Sequence, residues 1–161
     1  MRQRRLARNG FTIIELLVVM AVLGVLAAAI MPLGEALLKA QKERELKQAL
    51  WEIRNAIDGY KRAADHGALK LAVGESGYPP SLKALELGVA DGRSNANEQA
   101  LYFLRQIPRD PFAAPDIAAE DTWRLRSYAS PPDKPAPGSD VFDVRSSSDD
   151  IAMDGTPYAK W

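Results

Sequence analysis

The sequence predicts an α+β protein: one long N-terminal helix packed against a small C-terminal antiparallel β-sheet. Three observations carry this. From Phe11 to Leu33 the chain is apolar, broken only by Thr12, Glu15, Gly24 and Pro32, about one bilayer's worth of helix. From Leu46 onward Leu46, Ala49, Leu50, Ile53, Ala56, Ile57, Tyr60 and Ala64 recur at spacings of three and four, the mark of a helix with one buried face. Near the C-terminus, Arg124-Leu125-Arg126 and Phe142-Asp143-Val144 alternate as half-solvated strands do.

The N-terminus comes first. Arg2, Arg4, Arg5 and Arg8 precede the apolar run with no acid among them. The formal net charge is +0, from 21 basic and 21 acidic residues. Setting those four arginines aside leaves 17 basic residues against 21 acidic ones. A mildly acidic remainder argues against nucleic acid as a partner, because phosphate binding needs a basic face. Arginines ahead of an apolar span predict that they stay in the cytoplasm while the rest of the chain, beyond the span, is exported.

A secretory signal peptide shares the basic start and apolar core, and Ala27-Ala28-Ala29 would serve as its cleavage site. Against this, the run is long, it continues past Pro32 into Leu37, Leu38 and Ala40, and it contains Glu15. The other cleavage point lies between Gly10 and Phe11. Here the order Gly10, Phe11, Thr12, Ile13, Ile14, Glu15 and then an apolar helix resembles the type IV pilin superfamily. That resemblance implies cleavage after Gly10 by a prepilin peptidase and N-methylation of the new terminus, Phe11.

It also implies a use for Glu15. An ionised acid at the bilayer centre costs about 2.5–3.5 kcal/mol on insertion scales. Glu15 lies about one turn from Phe11, nearer the interface. The amine freed at Phe11 of one subunit can meet Glu15 of a neighbour, where low dielectric strengthens the pairing. Phe11 and Glu15 are thus assigned to assembly. The plainer alternative is an interfacial Glu15 whose carboxylate reaches water.

The helix is expected to run from Phe11 to about Ala64, roughly 80 Å at 1.5 Å per residue. Lys42, Glu43, Arg44, Lys47, Glu52, Arg54 and Lys61 are placed on its solvated face. Gly24, Pro32 and Gly34 interrupt it, since proline removes a helical hydrogen bond. One reading is a mild kink; the resemblance implies loss of helix between these positions in an assembled filament.

Beyond Ala64, Asp65-His66-Gly67 reads as a helix end, with His66, the single histidine, as a solvated residue. Ser81 is positioned to cap a short helix containing Leu82, Ala84, Leu85 and Leu87. Residues 91–97 read as a polar loop. Strands are expected over Trp123–Ala129 and Val141–Ser146, joined by an exposed proline-rich connector, Ser130–Ser139.

The landmarks Tyr78-Pro79, the Leu-rich helix, Pro108-Arg109-Asp110-Pro111-Phe112, the last strand, Asp154-Gly155 and Trp161 resemble the major pseudopilin of type II secretion systems. This implies a leader over 1–10, a transmembrane and assembly helix over 11–34, and a periplasmic pilin-like domain over 35–161. It further implies a homopolymer anchored in inner-membrane lipid, with minor pseudopilins, the prepilin peptidase and an assembly platform as partners. A pilin or minor pilin of a type IV or DNA-uptake pilus is the alternative within the superfamily. A membrane-anchored periplasmic binding module that never polymerises is the alternative outside it.

The chain has no cysteine, so no disulfide fastens its loops. Asp149, Asp150 and Asp154 sit within a Ser-rich C-terminal segment, and hard oxygen ligands suit Ca²⁺. Calcium in this loop is what the resemblance implies, although the spacing is not an EF-hand and the insert Thr156–Lys160 separates the acids from Trp161. The alternative is an acidic loop pinned by Tyr158 and Trp161. No phosphate-binding loop, nucleophile elbow or paired metal-binding histidines are present, and the sequence is not read as an enzyme.

Overall fold

The computed structural model describes residues 12–93 and 100–161. Gly10 and Phe11, the leader, and residues 94–97 of the polar loop lie outside them. The fold is α+β and pilin-like: a long helix, α1 (Ile13–Asp65), then α2 (Leu82–Leu87), β1 (Val89–Ala90), β2 (Ala100–Leu101), β3 (Trp123–Arg126) and β4 (Asp143–Ser146). Single 3₁₀ turns cover Ala119–Thr122 and Tyr158–Lys160. Two compact units meet in sequence at Lys39 and Ala40.

In the first unit, every side chain from Thr12 to Ala28 is exposed. The segment is helical, long and apolar enough to cross a membrane. Thr12 starts it: the Leu16 N–H donates to the Thr12 carbonyl, and the Glu15 N–H donates to Thr12 Oγ1 at 3.3 Å.

In the second unit, all eight residues of the amphipathic stripe are buried, with Leu46 and Ile53 wholly so. Each large aliphatic side chain taken from water stabilises the fold by about 1.5–3 kcal/mol. They pack with Leu85, Leu104, Ile107, Trp123, Val141 and Val144. The helix ends at Asp65 because Gly67 turns left-handed at φ 70°. The Gly67 N–H donates to the Ala64 carbonyl and the Ala68 N–H to that of Ala63, the paired bonds of a Schellman cap. His66 is exposed and its ring Nδ1 lies 2.6 Å from the Arg62 carbonyl. Ser81 caps α2, accepting from the Ala84 N–H at 3.2 Å.

The expected sheet is two separate antiparallel ribbons, β1–β2 and β3–β4. The second is shorter than the alternation suggests. At Ser127 the N–H turns away to the Ala136 carbonyl, and at the other strand the Val141 N–H donates to Pro79. Connector and neighbouring loop thus take the donors that would have prolonged the ladder. The connector comes close enough that a Cβ on Gly138 would stand 2.7 Å from the Ser127 side chain.

Asp140 holds this corner. It is buried, and its carboxylate accepts from the Ser127 hydroxyl at 2.7 Å, the Tyr128 N–H at 2.9 Å and the Ser76 hydroxyl. Burial pushes its pKa up, but these hydrogen bonds together outweigh burial and hold it below the usual value. A depressed folded-state pKa stabilises above the unfolded value and loses that contribution as pH falls through the folded one. Stability is therefore expected to decline below about pH 4, and Asp140→Asn is expected to flatten that acid limb while costing about 1–2 kcal/mol at neutral pH. Thermal melts of both proteins across the acid range check this; parallel acid limbs would count against it.

Candidate functional site

Two regions answer to function: the start of α1 and the clasp that closes the C-terminal domain. At the first, Glu15 occupies the first turn of α1 with an exposed side chain. An acid there also complements the positive end of the helix dipole. Thr12-Ile13-Ile14-Glu15 is, in addition, the spacing of a capping box, a local signal in the sequence that an assembly role for Glu15 leaves unused. Gly24, Pro32 and Gly34 all lie within continuous helix in the single chain. Nothing stands within 4 Å of a Cβ added at either glycine.

At the second region, side chains on α1 hold the chain's end. Arg54 Nε donates to Asp143 Oδ1 at 2.8 Å, and its Nη2 donates to the carbonyls of Val144 at 3.0 Å and Trp161 at 2.6 Å. Glu43 accepts from the Met153 N–H at 2.8 Å and the Tyr158 hydroxyl at 3.0 Å. Both residues, assigned to the solvated helix face by periodicity, are instead half-buried. Their long polar side chains reach sideways to backbone groups that periodicity does not see. Tyr158 is fully buried, stacked on Phe112 at 4.3 Å and set edge-on to Trp161 at 5.1 Å. Burial foremost, then the bond to Glu43, raises its phenol pKa above the ordinary value. Lys47 sits 4.3 Å from the centre of the Trp161 ring.

The three proposed calcium ligands are not gathered. Asp149 pairs with Arg124 at 2.8 Å, which lowers its pKa. Asp154 accepts from the Thr156 N–H at 2.9 Å and hydroxyl at 2.6 Å. Among the described residues no group of three or more histidines or acids is arranged to hold a metal. The residues as placed do not fit the ion, and the clasp itself does the fastening: the Ala152 N–H donates to the Thr156 carbonyl, the Tyr158 N–H to Asp150 and the Trp161 N–H to Tyr158. The melting temperature of the detergent-solubilised chain is expected to be the same in chelator and in millimolar Ca²⁺. A rise with Ca²⁺ that Asp149→Ala removes would show instead that the cation displaces Arg124.

The fold and the exposed N-terminal helix define a pilin-like architecture. The family model for the prokaryotic N-terminal methylation motif matches residues 5–31. That motif indicates a type IV pilin-like protein, a pilus or pseudopilus subunit, and implies prepilin peptidase processing and self-polymerisation. It marks a structural class rather than an enzymatic one. Motif and helix together are consistent with anchoring in the inner membrane. No curated protein and no solved structure matches the chain.

Proposed function

We propose that the chain is a structural subunit of a type II secretion pseudopilus. It is cleaved between Gly10 and Phe11, N-methylated at Phe11, held in the inner membrane by the apolar part of α1, and polymerised into a short periplasmic filament. The filament helps drive folded proteins through the outer-membrane secretin. Minor pseudopilins and an inner-membrane assembly platform are the further partners.

The observation that carries this reading is the methylation motif at residues 5–31, which takes in the start of a helix whose apolar side chains are exposed. Such a surface needs lipid or other copies of itself to cover it. What favours a pseudopilus over a pilus is the order of landmarks behind the helix, from Tyr78-Pro79 through Pro108–Phe112 to Trp161. The test is mass spectrometry of the mature N-terminus from native membranes, paired with a secretion assay in a strain lacking the gene. N-methyl-Phe11 and secreted substrates retained in the periplasm are expected. A mature chain still carrying Arg2–Gly10 would end the filament reading. Normal secretion with lost surface fibres would select the pilus.

A further inference from the structure

A groove in the globular domain is lined by two tryptophans. Trp51 stands on α1 between buried Leu50 and buried Ile53, yet is itself 69% exposed. Trp161 and Leu50 line the same groove, whose volume is about 440 Å³ and whose lining is mostly apolar. Apolar clefts with a few polar groups are where ligands seat. Lys47 and Asp154 supply polar groups here. Lys47 Nζ rests 4.3 Å from the centre of the Trp161 ring, and Asp154 uses only Oδ1 for its two bonds to Thr156. Neither is in an ion pair among the described residues. Arg54 also lines the groove, but its guanidinium is committed to Asp143, Val144 and Trp161.

The proline-rich connector supplies a projection of matching chemistry. Its two ends are fastened: the Ser130 N–H donates to the Ser127 carbonyl at 3.1 Å, and the Ser127 N–H donates to that of Ala136 at 2.9 Å. Between them the Lys134 N–H donates to the Pro131 carbonyl at 3.3 Å. This closes a tight turn with Pro132 at its second position, where the fixed φ of proline fits. Pro131, Pro132, Asp133 and Lys134 are all exposed, and neither charge is in an ion pair among the described residues. A turn so constrained loses little conformational freedom when it docks. Proline-rich segments seat in aromatic-lined grooves for that reason.

Charge selects the turn as the occupant of the groove. The groove offers Lys47 and Asp154, the turn Asp133 and Lys134, so each charge of one meets its opposite in the other. In the single chain Trp51 and the whole turn are open to solvent, which leaves a second copy to bring them together.

We propose that the Pro131–Lys134 turn of one copy seats in the Trp51–Trp161 groove of a second copy, with Pro132 against the Trp51 indole, Asp133 toward Lys47 and Lys134 toward Asp154. The contact rests on the polymer reading above and deepens it. Turn and groove are different patches on one chain, so the interface is heterologous and repeats along a filament. It is too small to hold two free subunits together. Copies already gathered by their apolar helices meet at high effective concentration, and there a small contact sets register.

The test uses the full processed chain. Trp51→Ala is expected to lower fibre yield about tenfold or more without lowering the melting temperature of the solubilised subunit, because the indole is exposed there. Lys47→Glu should lower the yield as well, and adding Asp133→Lys should restore it. Because the chain has no native cysteine, Asn55→Cys in the groove with Ala136→Cys beside the turn provides an independent readout that leaves every charge in place. A short bifunctional maleimide is expected to give a ladder of covalent oligomers from fibres of the double variant and none from either single one. Fibres without a ladder overturn the docking and leave the filament intact, whether the groove crosslinks within its own chain, to another protein or to nothing. Undiminished fibres from Trp51→Ala, or a Lys47→Glu defect that Asp133→Lys does not repair, overturn it in the same way. No fibres from the unaltered chain would overturn both.

Discussion

Glu15→Gln is expected to leave the chain inserted, folded and processed but to stop it from polymerising. Two roles for Glu15 make opposite demands, and this variant separates them. As the fourth residue of Thr12-Ile13-Ile14-Glu15, it stands where a capping box places an acid or an amide alike, and Thr12 Oγ1 accepts from its backbone N–H whichever side chain is present. Capping therefore survives the change. Charge pairing with the Phe11 amine of a neighbouring copy, which the proposed filament would use, does not survive, because an amide carries no charge. Leaving one member of a desolvated ion pair alone costs about 3–5 kcal/mol, more than a hundredfold in association constant. The cost recurs at every subunit along a polymer. Sheared fractions probed by immunoblot and electron microscopy are expected to contain no fibres from Glu15→Gln or Glu15→Val, with membrane levels near those of the unaltered chain. Fibres from Glu15→Gln at normal yield would reduce Glu15 to a capping residue.

How much could be read in the sequence depends on the range of each interaction. The buried face of α1 was legible because helical period alone fixes it, and every residue from Leu46 to Ala64 named from that period is buried. The Ser81 cap and the turn at Gly67 were legible because the partners lie within five residues. The reach of β3 and β4 was not, because it depends on how the connector folds back, so that Ala136 takes the donor of Ser127, and on Pro79, distant in sequence, taking that of Val141. Arg54 and Glu43 escaped for a related reason. Their position on α1 predicts solvent, yet their partners are Asp143, Trp161, Met153 and Tyr158, about ninety residues or more away. The C-terminal acids show the limit from the other side. Composition marks Asp149, Asp150 and Asp154 as oxygen ligands, while their local turns and Arg124 disperse them.

Asp110→Ala is expected to be the most damaging single change in the globular domain. The carboxylate is 1% exposed and in no ion pair among the described residues. Its Oδ1 accepts from the Phe112 N–H at 2.8 Å. Its Oδ2 accepts from the Ser146 hydroxyl at 2.5 Å and the Ser147 N–H at 3.1 Å. Its own N–H donates to Thr122 Oγ1 at 3.2 Å, and that hydroxyl donates to the Ala119 carbonyl at 2.7 Å. One residue thus joins the Pro108–Phe112 turn, the approach to β3 and the exit from β4. Two of the three donors aimed at the carboxylate are backbone amides that cannot rotate to other partners, and a side chain that only accepts satisfies all three. Alanine strands them in a dry site at about 3–5 kcal/mol, a large part of the 5–15 kcal/mol typical of a whole domain. Asparagine keeps one accepting oxygen but turns an N–H₂ toward a donor, so about 1.5–3 kcal/mol is expected. Ser146→Ala removes one donor together with its need for a partner, and about 1 kcal/mol is expected. The order of melting temperatures, Ser146→Ala above Asp110→Asn above Asp110→Ala, is therefore the signature. Amide hydrogen exchange at Phe112 and Ser147 should accelerate in the two Asp110 variants and far less in Ser146→Ala. An alanine variant that melts with the unaltered chain would mean that water can replace the carboxylate, and that the turn is held by Thr122 alone.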